Sequence, residues 1–124
     1  MSVKRLSHAA LTKILKGEVH KDATCIVKFY SNGCPYCKAL SGYYEDIARD
    51  ETYSDLHFFA FNVDDYPPIE KLLNFNGVPT ISLIKASTAN RKPKIRSMTD
   101  PDKPNKKTWY YSRDIKQFIE EENK

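Results

Sequence analysis

Apolar side chains recur along this chain with two periods, and the alternation between them predicts an ordered series of strands and helices. Residues 3–6 can form a short edge strand. Ser7 is placed to cap a first helix whose inner face is Leu11, Ile14 and Leu15, with Gly17 ending it. Residues 25–30 are nearly all apolar, as a strand covered on both faces must be. Leu40, Tyr43, Tyr44, Ile47 and Ala48 then fall at the spacing of one helical face. Residues 58–63 repeat the buried-strand pattern. Pro67 and Pro68 open a third helix with Ile69, Leu72 and Leu73 inward, which Asn76-Gly77 ends. Residues 80–84 read as a strand, and 108–111 as its hairpin partner. Ser112 is placed to cap a last helix carrying Ile115, Phe118 and Ile119. The order β-α-β-α-β-α-β-β-α predicts an α/β fold, a mixed sheet with helices on both faces.

Length and charge sharpen this outline. A chain of 124 residues with eight Tyr, six Phe and one Trp is read as one domain, residues 1–124, able to bury a core without staples. The net charge of +4 is unevenly spread. Residues 86–107 hold seven basic side chains (Arg91, Lys92, Lys94, Arg96, Lys103, Lys106, Lys107) against Asp100 and Asp102, which leaves a slight negative excess elsewhere. With three prolines and little apolar content, that segment reads as a long inserted loop or distorted hairpin. It carries no interleaved aromatics and no nucleic-acid motif, so it is read as a solvated basic loop; an acidic protein partner is the next choice. No stretch has the apolar length of a membrane span, and Lys13 and Lys16 interrupt any leader-like run after Met1. With three cysteines and no disulfide framework, the expected setting is reducing and cytoplasmic.

The chemistry is concentrated in Cys34-Pro35-Tyr36-Cys37, between the apolar run and the longest helical pattern. A helix start offers unpaired N–H groups and the positive end of the macrodipole, so a thiol at Cys34 ionises more easily. Cys37, one turn further, is close enough to form a disulfide with it. A structural zinc pair is the competing explanation, but zinc needs four ligands. The remaining candidates are Cys25, mid-strand, and the scattered His8, His20 and His57. Redox chemistry fits better, and Cys25 reads as a small buried hydrophobe.

With Gly77-Val78-Pro79-Thr80 some forty residues on and ahead of a strand, the dithiol resembles that of the thioredoxin superfamily, and the resemblance extends over residues 3–122. It implies a thioredoxin fold with Pro79 in the cis form against the dithiol, and Val78 pairing its backbone with an extended substrate chain. Gly33, Pro35, Tyr36, Gly77 and Thr80 would line the same substrate groove. Cys-Pro-Tyr-Cys is the glutaredoxin version of the motif, yet the glutaredoxin glycine pair for glutathione is missing. Gly33 and Gly42 stand where thioredoxins carry tryptophan and proline. Residues 110–115 are similar to the last strand and helix of protein disulfide isomerase domains. Lys28 departs most, because thioredoxins typically carry a buried Asp there whose lysine partner aligns with Ala60. A buried ammonium would lower the pKa of Cys37; a neutral amine would accept its proton. Pairing with a carboxylate or reaching to water would leave Lys28 without a redox role.

The implied function is reduction of protein disulfides by a monomer with no bound cofactor, Cys34 attacking and Cys37 resolving, recharged by a thioredoxin reductase. A glutathione-dependent reductase is the first alternative. A binding or assembly subunit that docks a protein partner is the second.

Overall fold

The computed structural model describes residues 3–123; Met1, Ser2 and Lys124 lie outside it, as do the side chains of Asn90 and Arg91. Its strands are β1 (Val3–Arg5), β2 (Ala23–Tyr30), β3 (His57–Asn62), β4 (Thr80–Ser87) and β5 (Asn90–Ser97). They form a sheet in the order β1-β3-β2-β4-β5. β1, β3 and β2 run parallel, whereas β4 and β5 are antiparallel to their neighbours. The helices are α1 (His8–Leu15), α2 (Pro35–Arg49), α3 (Ile69–Leu72) and α4 (Ser112–Glu122).

The central position of β2 explains its continuous apolar run. Ile26 packs into a cluster with Leu40, Tyr44 and Ile47 of α2 and Ile115 and Ile119 of α4. Cys25, Val27 and Phe29 point the other way, into a cluster with Leu11 of α1 and Ile69 of α3. Each such fully buried aliphatic or aromatic side chain stabilises the fold by about 1.5–3 kcal/mol. Alternation puts Lys28 on the same face as Ile26, beneath α2. The Tyr44 hydroxyl lies 2.9 Å from the Ile26 carbonyl and 2.7 Å from that of Phe59, fastening α2 to both central strands. In α1, the Ala10 N–H donates to Ser7 Oγ at 3.1 Å. Gly17, at φ 73°, closes its far end as Glu18 N–H donates to the Lys13 carbonyl.

Four expectations are corrected. The hairpin partner of β4 is β5, inside the basic segment expected to be a long loop or distorted hairpin, and not residues 108–111. Lys92, Lys94 and Arg96 are exposed while Ile95 turns inward, a half-solvated edge strand whose single apolar position hides the alternation. Residues 108–111 carry strand-forming side chains, but Trp109 adopts φ 68° and makes only an isolated bridge to Asn105. The third helix is a single turn, and Leu72 is 61% exposed instead of inward. Tyr43 lies at the edge of the α2 face and is exposed. Finally, Ser112 is the first residue of α4, and Asp114 supplies the cap by accepting from the Tyr111 N–H at 3.2 Å.

These corrections predict a contrast within β5. Ile95→Ala should lower stability by about 1–2 kcal/mol, because half-buried apolar contact is lost. Lys94→Ala should stay within about 0.5 kcal/mol of the parent. Urea unfolding of both variants measures the difference, and equal effects would mean that β5 is not packed as described.

Candidate functional site

The loop that ends β2 is held by the end of β3. Asn62 Nδ2 donates to Asn32 Oδ1 at 2.9 Å, and the Asn32 N–H donates to the Asp64 carboxylate at 3.3 Å. This delivers Cys34 to the N-cap of α2, with extended backbone, and Pro35 to the first turn, where its missing N–H costs nothing. Cys34 Sγ accepts from the Cys37 N–H at 3.1 Å, so the sulfur takes the capping place usually held by an oxygen. The two cysteines are joined in a disulfide, with Cα atoms 5.3 Å apart.

The sulfurs are unequal. Cys34 is 7% exposed and Cys37 2%, so an incoming group meets Cys34 first. Cys34 Sγ also lies 3.8 Å from the Val78 carbonyl oxygen. The Val78–Pro79 peptide is cis, Gly77 has φ 90°, a conformation favouring glycine, and the Thr80 hydroxyl donates to the Gly77 carbonyl at 2.8 Å. Tyr36 projects from the first turn, its ring 5.5 Å from that of Trp109. A Cβ on Gly33 would meet nothing within 4 Å, so this flank of Cys34 is unshielded. Gly33 to Cys37 and Gly77 to Thr80 thus converge on one end of the sheet. Trp109 stands at the rim of that end, against Tyr36.

Lys28 lies below the pair, at 6% exposure, so it does not reach out to water. Its Nζ donates to Ser41 Oγ at 3.1 Å, and that hydroxyl donates to the Cys37 carbonyl at 3.1 Å. The rings of Tyr44 and Tyr30 are 5.3 and 5.8 Å away. Among the described residues no carboxylate comes within ion-pair distance of it. Burial therefore pulls its pKa below the ordinary lysine value, and the more distant Glu45 opposes only in part. In register, Lys28 sits beside Ala60 and Ile81. Cys25 is elsewhere, buried in the opposite layer, where desolvation pushes its thiol up to about 11. Ser41 gave no sequence signal beyond a small residue one turn after Cys37.

A family model described as Thioredoxin matches residues 4–103, well over half the chain and across β5. This chain belongs to the thioredoxin family. Thioredoxin AMT13 of Alternaria alternata is 30% identical over 79 residues, which is 60% of this chain and 65% of that protein. The match thus spans less than two thirds of the curated relative. Among solved structures, a complex of ferredoxin:thioredoxin reductase with thioredoxin f2 aligns with a TM-score of 0.69 at 21% identity, over 98% of this chain and 96% of that one. Spinach chloroplast thioredoxin f, in its short form, gives 0.69 at 19% identity over 98% and 94%. At these identities the likeness shows the fold, and it is the thioredoxin fold. What a bonded pair in this thioredoxin can do is exchange disulfides with another thiol.

Lys28 has a measurable effect on stability. Its native pKa is depressed, so between that value and the unfolded one the unfolded chain binds more protons and stability rises with pH. Below this window the buried ammonium costs stability in full. With the disulfide intact, Lys28→Met should therefore be more stable at pH 7 by about 1–3 kcal/mol. The margin should shrink as pH climbs toward the ordinary lysine value of 10.5. Glu45, Tyr44, Tyr30, Arg5 and Lys38 border the same space in both proteins, so the difference isolates Lys28. Denaturant unfolding at several pH values measures it; a constant margin would contradict the assignment.

Proposed function

We propose that this thioredoxin reduces disulfides in other proteins by dithiol exchange. The unequal burial of Cys34 and Cys37 beside the Val78–Pro79 loop carries the proposal. In the reduced protein, Cys34 thiolate attacks one sulfur of a substrate disulfide and expels the other as a thiolate, leaving a mixed disulfide. Cys37, as thiolate, then attacks Cys34 Sγ and expels the second substrate sulfur. Two electrons have passed to the substrate, and the protein is left in its bonded form. A substrate strand laid against the Val78 backbone would bring its sulfur to Cys34. Tyr36 would wall one side of the groove.

Each cycle needs a two-electron donor. Thioredoxin f2 is known in complex with ferredoxin:thioredoxin reductase, which supports a reductase as donor here too. Glutathione is the competing donor. The proposed setting is a monomer in a reducing cytoplasm with no bound cofactor. Insulin reduction by dithiothreitol, with each cysteine changed to serine, tests the chemistry. Cys34→Ser should fall to the uncatalysed background, and Cys37→Ser should accumulate a mixed disulfide through Cys34. A turnover-inactive protein with both thiols intact would favour the docking role instead.

We assign Lys28 to the second half of the cycle, as the buried ammonium that favours the thiolate of Cys37 by Coulomb attraction in the space they both line. Lys28→Met should then slow resolution of the mixed disulfide near neutral pH by about tenfold or more, while leaving the first attack unchanged. Stopped-flow resolution rates across pH measure this, and an unchanged pH–rate profile would remove Lys28 from the mechanism.

A further inference from the structure

Beside Cys37, where α2 crosses the sheet, lies a cleft of about 550 Å³ open to solvent along Asn32, Lys38 and Ser41. Two short side chains make room for it. Ser41 stands on the helix above and Ala60 on β3 below, where longer residues would close the space. Tyr30, Tyr44 and Val3 contribute apolar wall. Lys28 sits against it, with one hydrogen bond, to Ser41, among its three N–H donors and no carboxylate of the described residues at ion-pair distance.

A buried ammonium so placed is a strong donor facing a volume many times that of a water molecule. Cations outnumber acids at its border, where Lys28, Lys38 and Arg5 face Glu45. Lys38 adds a second cation, while the positive charge of Arg5 is met by Asp65 at 2.8 Å. The acid on this border, Glu45, stands 3.8 Å from Arg49. We infer that this cleft is a binding site for a small carboxylate with an apolar, preferably planar, body. The head would take the remaining N–H donors of Lys28, and the body would lie against Tyr30 and Val3. Lys38 at the border would favour entry of an anion. This inference goes beyond the disulfide-reductase reading and does not depend on it, since it concerns the bonded form at rest.

Benzoate is the probe. In the oxidised, nitrogen-15-labelled protein, benzoate should cause saturable shifts centred on Lys28, Ser41, Tyr44 and Ala60, with a millimolar or tighter dissociation constant. Lys28→Met should weaken binding at least about tenfold, as loss of a charge-assisted contact does. Ala60→Leu keeps the charge and fills the space, and should also abolish binding; it stands in should Lys28→Met fail to fold. Lys94→Ala, on β5, should leave the affinity unchanged. Inorganic phosphate matches the charge but not the walls, and should bind several-fold more weakly. Lack of saturation at tens of millimolar benzoate would overturn the assignment. So would binding that survives in both Lys28→Met and Ala60→Leu, or phosphate binding as tightly as benzoate.

Discussion

An α-helix cannot satisfy the N–H groups of its own first turn, and the reactive end of this molecule is built on that deficit. At α2 a sulfur answers it: Cys34 Sγ receives the Cys37 N–H. The same contact brings the two cysteines together and sets the positive end of the helix dipole against the Cys34 sulfur. Everything around it fixes the position of that turn. The Asn32–Asn62–Asp64 contacts hold the approach, Pro35 fixes the backbone inside it, and Tyr44 fastens the helix to the strands below.

The reactive residues were legible in the sequence because chemistry dictates their identity. Few residues can replace Cys34 and Cys37, and Gly77, at positive φ, is hard to substitute without strain. Strands buried on both faces were legible as well, since their environment demands apolar side chains at every position. β5 was not. An edge strand has one solvated face and one flank open to solvent, so charge density and Pro93 conceal it. Residues 108–111 misled for the opposite reason. Their aromatic side chains suit a strand, but the φ of Trp109 turns the chain away, and the residues fill core and rim instead.

Lys28 was conspicuous in the sequence, while its surroundings were not. Its neighbours come from Ser41, thirteen residues on, and from Ala60 across a strand pairing, and no local pattern announces either. A buried charge beside α2 opposes the apolar packing that stabilises the rest of that layer. The two small residues beside it take away further contact area. Stability is thus lowered in one restricted place, directly beside Cys37. Sites that perform chemistry commonly show this local conflict between packing and function.

The outer rim of the sheet has a consequence of its own. Lys92, Lys94 and Arg96 project from β5, and Pro93 brings no amide hydrogen to its ladder. A second copy trying to extend the sheet across that rim would set like charges against each other and find a gap in the hydrogen-bonding row. Self-association into fibrils is thereby discouraged at the border where an antiparallel hairpin would otherwise invite it. An extended polypeptide is thereby turned away from this edge of the sheet.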